Sequence, residues 1–505
     1  MEGVLLALQP LSILAALTGV VLGIIFGAIP GLSATLGIAL LLPVTFLLPV
    51  DQGLIMLGGV YAGGIYGGSI SAILLNVPGT VAAVMTSIEG HAMARRGQAQ
   101  YALGLSATGS GIGGLFSALV LLFLAPLLAR WALAFGSAEY VALIVFSLVV
   151  VTMMLPTPLL GNAAGCFIGL AIATIGVDPA HGYPRFTYGI YELVSGFPLL
   201  PVLIGFFALP QVLFLAWSAL REMRYGKSAT AIMPSDTAGP RILPSLLRNK
   251  WNLVRSSILG TGMGILPAIG PTVTPVTAHA IERRFSRDDP DYGKGSAAGL
   301  LAAETSNNAN VGGSLIPLLA LGVPGSGAAA VFIGALTIHG LSPGPLMFQQ
   351  NGDVLTAFFV GFIIVNILMM VLGFYGARYF ALVLKAPSYV IAPFIVVFAM
   401  FGSYASGNGM FFVWMLLVSA ALALMLRAVG IPILAVLMGF ILGALLEEQL
   451  IVMVSSFIDP WDILARPIAM GFAVITILTI VLLGRQRIRD NREIAGILGA
   501  GKGVS

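Results

Sequence analysis

The sequence predicts an all-α polytopic membrane protein, and the composition is the main reason. Of its 505 residues, 58% are hydrophobic and only 9% are charged, and the mean hydropathy is +1.02. A soluble domain has about 25% charged residues, so this chain cannot cover a water-facing surface of its size. Apolar stretches recur along the whole chain. With about 20 residues needed for each span, we expect roughly 12 transmembrane helices plus re-entrant or broken helices.

The composition also excludes several classes of protein. The single cysteine, Cys166, allows neither an intrachain disulfide nor a cysteine-based metal cluster. The net charge of +4 does not indicate nucleic-acid binding. Lys and Arg are confined to short loops and the C-terminal tail, where positive charge marks the cytoplasmic side of a membrane protein. Motifs of zinc hydrolases, serine hydrolases and P-loop proteins are absent, so we expect no enzyme and no cofactor, and any pumping must draw on an ion gradient.

An internal repeat is the most informative feature of the chain. A Gly-x3-Gly-x2-Pro pattern that starts at Gly23 returns at Gly260. Downstream of each copy, GGSISAILLNVPGT at 67–80 returns as GGSLIPLLALGVPGS at 312–326. The two signals occur in the same order and at nearly the same separation, which predicts two structurally equivalent halves.

The loop charges indicate that the two halves have opposite orientations. Between the two signals, the first half contains Asp51 and no basic residue. The equivalent loop of the second half contains Arg283, Arg284, Arg287 and Lys294. After the second signal the asymmetry reverses, since the first half has Arg95 and Arg96 and the second has no basic residue over 341–353. By the positive-inside rule, equivalent loops face opposite sides of the membrane, which is an inverted-topology repeat.

These patterns predict four segments. Residues 1–220 form the first inverted repeat with scaffold helices, and residues 221–251 form a basic linker. Residues 252–484 form the second inverted repeat with scaffold helices, and residues 485–505 form a tail. The linker and the tail carry clusters of Lys and Arg, so we expect both to be cytoplasmic.

Each half contains a Pro-Gly pair inside apolar sequence, VPGT at 77–80 and VPGS at 323–326. Such a pair breaks a helix, and in lipid the freed backbone groups must be satisfied by protein, ion or substrate. The helix that restarts at each break presents N–H groups and a positive dipole end to an anion. A single break is more often a packing kink. A symmetric pair followed by hydroxyl residues favours a site near the membrane midplane.

Polar residues cluster on the same segments, most densely in the run ETSNNAN at 304–310. Asn and Ser oxygens suit Na⁺, while their donors suit a carboxylate; interhelical hydrogen bonding is the alternative explanation. The predicted substrate-binding residues are Ser69, Asn76, Gly79, Thr80, Asn307, Asn308, Ser314, Gly325 and Ser326. The predicted ion-coupling residues are Asn76, Glu304, Ser306 and Asn310. Glu304 either carries an ion or proton or caps a helix start, and the sequence favours neither role. We expect Na⁺ as the coupling ion, with H⁺ as the alternative, and no other metal.

Five stretches of the sequence carry a resemblance to a known family. They are GAIPGLSATLGIALLLPVTF at 27–46, VYAGGIYGGSISAILLNVPGTVAAV at 60–84, EGHAMARRGQA at 89–99, ETSNNANVGGSLIPLLALGVPGSGAAA at 304–330 and HGLSPGP at 339–345. They resemble the large transmembrane subunit of the tripartite tricarboxylate transporter family. The family pattern has Pro-Glu-Ala-Ala-Asn-Asn where this chain has AETSNN at 303–308. The additional hydroxyls of Thr305 and Ser306 indicate altered substrate contacts.

The resemblance implies a multi-pass carrier of the bacterial inner membrane that imports carboxylates such as citrate on a cation gradient. It implies two protein partners, a small four-helix membrane subunit and a periplasmic solute-binding protein; a homo-oligomer is also open. A passive channel and a structural subunit of a larger complex are the competing classes. A channel would conduct without saturation or ion coupling. A structural or enzyme subunit would carry intramembrane His, Cys or acidic chains, which are sparse here. The repeat favours alternating access, and a sliding, elevator-type motion rests on analogy between folds.

Overall fold

In a computed structural model of the chain, the described residues are 2–225, 232, 239–267, 270–385, 388–456, 462 and 465–500. Parts of the predicted linker 221–251 and of the predicted tail 485–505 therefore lie outside the described residues. The first ten helices are α1 (Glu2–Ala7), α2 (Pro10–Ala28), α3 (Ala34–Leu41), α4 (Val50–Leu75), α5 (Val84–Arg95), α6 (Ala99–Ala132), α7 (Ser137–Met154), α8 (Leu159–Ala173), α9 (Leu199–Tyr225) and α10 (Gly239–Arg248). The next ten are α11 (Lys250–Ile265), α12 (Gly270–Phe285), α13 (Ala297–Leu321), α14 (Gly327–Ile338), α15 (Pro345–Gln350), α16 (Gly352–Phe380), α17 (Ser388–Ala405), α18 (Met410–Ala428), α19 (Ile433–Ser456) and α20 (Pro467–Ala500).

The described part of the chain is almost entirely helical, which confirms the predicted all-α class. Two short strands, β1 (Gly176–Val177) and β2 (Pro184–Arg185), pair antiparallel between α8 and α9. Nine of the described helices are long and apolar enough to cross a membrane: α2, α4, α6, α7, α9, α16, α18, α19 and α20. Shorter apolar helices include α8 and α14. The protein is therefore a multi-pass membrane protein, while the total number of crossings stays a prediction.

The helices group into two compact units. One unit comprises Met1–Leu133 and Pro198–Met425, and the other comprises Ala134–Phe197 and Leu426–Ser505. The division into inverted repeats at 1–220 and 252–484 is a statement about sequence equivalence and stays a prediction. The predicted site residues all belong to the first unit.

In the second unit, α8 packs against α19 with backbone in contact with backbone. A Cβ on Gly169 would lie 2.0 Å from the Val436 carbonyl oxygen, and a Cβ on Gly439 would lie 2.1 Å from the Cys166 carbonyl oxygen. Only glycine allows so close an approach. These contacts hold α8 and α19 together without large side chains between them.

In the first unit, α2 lies on α4 in the same way. A Cβ on Gly23 would lie 2.6 Å from the Val60 carbonyl oxygen, and a Cβ on Gly27 would lie 2.1 Å from the Gly64 carbonyl oxygen. Neither position has room for a side chain. The first glycine signal of the sequence is therefore a helix-packing surface that fixes α4.

Helices α11 and α13 repeat this contact in the second half of the chain. A Cβ on Gly260 would lie 2.4 Å from the Ser306 carbonyl oxygen, and a Cβ on Gly264 would lie 2.6 Å from the Asn310 carbonyl oxygen. Since Gly23 and Gly27 are the sequence equivalents of Gly260 and Gly264, the repeated motif makes the same contacts in both halves. Each half thus holds one long, buried helix against a glycine-bearing partner.

Two further helices flank this pair. Helix α6 packs along α13, where a Cβ on Gly113 would lie 2.0 Å from the Thr305 carbonyl oxygen. Helix α16 packs along α4, where a Cβ on Gly58 would lie 3.1 Å from the Phe358 ring. The buried helices α4 and α13 are thereby enclosed by protein, so polar groups on them are kept out of lipid.

We expect Gly264→Ala to lower the melting temperature of the detergent-purified protein by several degrees. Overpacking a close contact costs about 1–3 kcal/mol, and the added methyl group would press on the backbone of α13. Gly262→Ala, two residues away on the same helix, is the matched control, because a Cβ there has no heavy atom within 4 Å. Equal melting temperatures for the two variants would contradict the proposed packing.

Candidate functional site

The first break separates α4 from α5. Helix α4 ends at Leu75 and is followed by Asn76, whose φ of 57° is left-handed, a conformation that asparagine tolerates better than most residues. The Gly79 N–H donates to the Gly68 carbonyl at 3.3 Å, and a Cβ on Gly79 would lie 2.3 Å from the Gly27 carbonyl oxygen. Helical turns resume at Val81. The predicted break is confirmed, and its glycine is packed against α2.

The second break separates α13 from α14 and has the same construction. Helix α13 ends at Leu321 and is followed by Gly322, with a φ of 74°. A Cβ on Gly325 would lie 2.3 Å from the Gly264 carbonyl oxygen. Ser326 caps α14, since its Oγ accepts the Ala329 N–H at 3.1 Å. This break is also confirmed. Both breaks combine a left-handed helix end, a glycine packed on the partner helix and a following hydroxyl residue.

The two breaks differ in their exposure. At the first, Asn76 is exposed and the side chain of Val77 is 39% exposed. At the second, all of 323–326 is buried. Equivalent segments of the two halves therefore lie in different environments.

A tyrosine from the first half reaches the second break. The Tyr61 hydroxyl of α4 lies 2.6 Å from Ser326 Oγ and 2.9 Å from Ser314 Oγ. Ser314 also donates to the Val311 carbonyl at 2.9 Å. One assignment of hydrogens satisfies all these contacts: Ser326 donates to Tyr61, Tyr61 donates to Ser314 and Ser314 donates to the carbonyl. A buried chain of hydroxyl groups thus connects α4 to both sides of the second break.

Glu304 of α13 is completely buried and accepts hydrogen bonds from four hydroxyls. Ser69 of α4 donates at 2.7 and 2.9 Å, Ser106 and Ser110 of α6 donate at 2.9 and 2.8 Å, and Thr86 of α5 donates as well. A carboxylate offers about four lone-pair sites, so these donors satisfy it in its ionised form. None of the ion pairs among the described residues involves this carboxylate. We call these five residues the Glu304 cage; it joins four helices around one negative charge.

The polar run that follows Glu304 has more buried polar atoms than hydrogen-bond partners. Asn308 Nδ2 donates to the Ala62 carbonyl at 3.2 Å, and Asn310 Nδ2 donates to Thr274 Oγ1 at 3.0 Å. Within the described ranges, both amide atoms of Asn307 and the Oδ1 atoms of Asn308 and Asn310 have no partner. Buried polar groups are normally paired. These atoms therefore mark the part of α13 where a bound polar species is expected.

Comparison with known proteins places the chain in one family. Residues 13–438 match the model of the tripartite tricarboxylate transporter TctA family. The chain belongs to the tripartite tricarboxylate transporter TctA family. The resemblance seen in the sequence is thereby confirmed, and membership implies the large subunit of a tripartite tricarboxylate transporter.

Two curated relatives of this TctA-family chain come from Agrobacterium vitis. One, described as an uncharacterized 52.8 kDa protein in the TAR-I ttuC' 3' region, is 33% identical over 489 residues, which is 96% of each chain. The other, described as an uncharacterized protein in the TAR-II ttuC' 3' region, is 30% identical over 235 residues, which is 46% of this chain and 97% of that protein. No solved structure matches the chain.

The structure of the TctA-family chain brings several predicted site residues together. Ser69 donates to Glu304, and Ser314 and Ser326 meet at Tyr61. The alternative role of Glu304 as a helix cap is wrong, because α13 begins at Ala297, more than a turn earlier, with Ser296 as its cap. Glu304 therefore lies in the helix interior.

Other predicted residues are placed differently. Asn76 forms the exposed end of α4, while Gly79 and Gly325 pack on the glycine-bearing helices. Ser306 donates to the Ala303 carbonyl of its own helix at 3.0 Å. Assignment of these residues to substrate or ion stays a prediction.

Four residues of the site were missed in the sequence: Thr86, Ser106, Ser110 and Tyr61. Ser106 and Ser110 are four residues apart and thus share a helix face, which is a signal that the spacing could have given. Thr86 and Tyr61 carry no local signal, because their partners are on distant segments of the chain.

A second buried carboxylate, in the middle of α5, joins the two halves. Glu89 accepts the backbone N–H groups of Gly293, Gly295 and Ser296 at 2.8 to 2.9 Å and the His279 Nε2–H at 2.7 Å. Burial alone would raise the pKa of Glu89, but the hydrogen bonds from His279 and the three backbone donors lower it below its ordinary value of 4.5. The loop before α13 is thereby fixed to α5.

We expect Glu89→Gln to lower the melting temperature at neutral pH, because an amide nitrogen would face backbone donors and leave one unpaired, at about 1–3 kcal/mol. The pKa of Glu89 is lower in the folded protein. The stabilisation from its ionised form is therefore complete above the unfolded pKa and is lost as the pH falls through the folded pKa. Thermal unfolding at about pH 7 and about pH 4 should show the difference from wild type shrinking at the lower pH. Glu192→Gln, at an exposed position, should leave the melting temperature unchanged at both pH values. A pH-independent difference between Glu89→Gln and wild type would contradict the stabilising role of the ionised Glu89.

Proposed function

We propose that this chain is the translocating subunit of a binding-protein-dependent secondary transporter that imports small tricarboxylates or dicarboxylates, such as citrate, on a cation gradient. Membership of the TctA family supports the class. The observation that carries the coupling mechanism is the Glu304 cage. The two breaks and the unpartnered amides of α13 support a substrate site.

The Glu304 cage has the chemistry of a site for a monovalent cation. It supplies oxygen ligands only, from one carboxylate and four hydroxyls, and Na⁺ is a hard cation that prefers oxygen. One negative charge is neutralised by one Na⁺ or by one proton. No group of three His, Cys, Asp or Glu that could hold a metal occurs among the described residues. The hydroxyls can turn their hydrogens outward and offer lone pairs to Na⁺, so we take Na⁺ as the coupling ion and H⁺ as the alternative.

Ion binding at the cage would be coupled to substrate binding through α13. Glu304 lies at one end of the polar run, and Asn307, Asn308 and Asn310 follow within two turns of the same helix. Helices α4 and α13 contain no Lys or Arg. An anionic substrate would therefore be bound by amides, by the hydroxyls of Thr80 and Ser326 and by the helix starts behind the breaks. A cation at Glu304 would lower the cost of bringing this anion into the protein.

The difference in exposure between the two breaks supports alternating access. In an inverted repeat, exchanging the environments of equivalent segments converts one facing state into the other. Here one break is exposed at Asn76 and Val77, whereas the break at 323–326 is buried behind Tyr61. A sliding, elevator-type motion would exchange these environments by moving the repeat-built part against the scaffold.

The proposed assembly lies in the bacterial inner membrane. Its partners are a small four-helix membrane subunit, a periplasmic solute-binding protein and the lipid bilayer, and the linker 221–251 and the tail face the cytoplasm. A second copy of the chain is a further partner to be tested. The positive-inside rule supports the orientation.

Uptake into proteoliposomes tests the whole proposal. The full chain is reconstituted with its small membrane subunit, and labelled citrate or succinate is added with the cognate binding protein. Uptake that saturates, needs the binding protein and depends on an inward Na⁺ gradient supports the carrier. Uptake that follows only a pH gradient identifies H⁺ as the coupling ion. Non-saturating flux without a gradient would identify a passive channel.

We expect Glu304→Gln to reduce Na⁺-driven uptake at least 100-fold while the protein is still inserted and folded. The amide has nearly the same shape, but it removes the negative charge that the cation neutralises. Ser110→Ala, which removes one ligand, should raise the Na⁺ concentration for half-maximal uptake and leave the maximal rate less affected. Glu448→Gln, at an exposed position, is the control for loss of a carboxylate. Unchanged Na⁺ dependence in Glu304→Gln would exclude the cage as the coupling site.

A further inference from the structure

Tyr61 and Asn307 occupy equivalent positions in the two halves. They directly follow Val60 and Ser306, whose carbonyl oxygens contact the equivalent glycines Gly23 and Gly260. On the other side, Asn308 of α13 donates to the carbonyl of its own equivalent, Ala62 of α4. Helices α4 and α13 therefore contact each other through equivalent residues. This is the contact expected of two helices related by a two-fold axis.

The contacts of Tyr61 predict where Asn307 points. Tyr61 crosses from α4 to Ser314 and Ser326 at the second break. In the structure these serines correspond to Gly68 and Thr80, one residue away from the sequence match of the two GGS motifs, because Gly79 packs on Gly68 as Gly325 packs on Ser314. Gly68 and Thr80 are themselves neighbours, since a Cβ on Gly68 would lie 2.8 Å from Thr80 Oγ1. By this equivalence we expect Asn307 to face the first break.

The two equivalent positions differ in how their polar groups are satisfied. At the second break, the tyrosine hydroxyl joins both serines. At the first, the amide N and O of Asn307 and the Oγ1 of Thr80 are buried, and none has a hydrogen-bond partner in the described chain. Asn307 is only 1% exposed. Because an asparagine side chain is shorter than a tyrosine by the length of a ring, it cannot complete the same bridge.

From this difference we propose that Asn307 and Thr80 bind one carboxylate group of the substrate at the first break. At the second break, the Tyr61 side chain fills the equivalent position, so no carboxylate binds there. The inference rests on the proposed function and narrows it to one carboxylate position in one half. The Asn307 amide and the Thr80 hydroxyl each donate to an anionic oxygen. The turn that begins at Val81 adds the positive end of the restarting helix. Of these two equivalent positions, only the one at the first break thus offers donors to a carboxylate.

The Glu304 cage and the proposed carboxylate site prefer ligands of opposite charge. The Glu304 cage is already anionic, so it attracts a cation and repels a carboxylate. Asn307 and Thr80 are neutral, and Thr80 directly precedes the helical turn that starts at Val81, where an anion is favoured over a cation. The two sites are on one helix but have opposite preferences.

Asn307→Asp is the decisive variant. It keeps the size of the side chain and replaces a donor by a negative charge, so the KM for citrate and for succinate should rise at least tenfold in the reconstituted transporter, while uptake still requires the Na⁺ gradient. Asn366→Asp on α16 is the matched control, because Asn366 is also buried with an unpartnered Oδ1 among the described residues but is far from the breaks in sequence. An unchanged KM in Asn307→Asp, or loss of the Na⁺ requirement with an unchanged KM, would overturn the proposal.

Asn307→Tyr provides an independent measurement. A tyrosine there should fill the first site as Tyr61 fills the second, giving a protein that citrate no longer stabilises against heat, whereas citrate should raise the wild-type melting temperature. Retained stabilisation by citrate would overturn the proposal. If wild type shows neither citrate nor succinate uptake, the proposed function itself fails. If wild-type uptake is normal and only the Asn307 results disagree, this inference alone fails.

Discussion

The structure of the first unit depends on backbone contacts that only glycine permits. Gly27 and Gly264 hold α4 and α13 at a distance where carbonyl oxygens meet Cα atoms, and the same two residues offer their own carbonyls to Gly79 and Gly325 at the breaks. Each glycine-bearing helix therefore supports both the long helix and its interruption. In a membrane, where water cannot satisfy a freed backbone group, this support allows a helix to stop deep in the protein.

Much of this arrangement follows from local sequence. The composition fixes the class, the Pro-Gly pairs locate the breaks and the repeated glycines indicate which helices are equivalent. The hydroxyl partners of Glu304 could not be read in the same way, because Ser106 and Thr86 reach α13 only after α5 and α6 have packed on it. Glu304 itself looked like a helix cap or an ion ligand, and only the start of α13 at Ala297 separates the two.

The functional chemistry of the halves differs although their backbones correspond. Tyr61 in one half is equivalent to Asn307 in the other. Glu304 is equivalent to Gly58, which lies among glycine and apolar residues of α4. The two segments thus share their packing glycines and differ in their polar residues. The result is one anionic cage and one set of neutral donors instead of two copies of each.

Glu89 has a consequence for biosynthesis. Its carboxylate lies in the first half of the chain, yet all four of its donors lie in the second half, at His279, Gly293, Gly295 and Ser296. A nascent chain that has just inserted α5 must therefore hold this buried group in an unfinished environment until the ribosome has made some two hundred further residues. The hydrogen bonds of Glu89 are thus completed only after the loop at 286–296 has been synthesised.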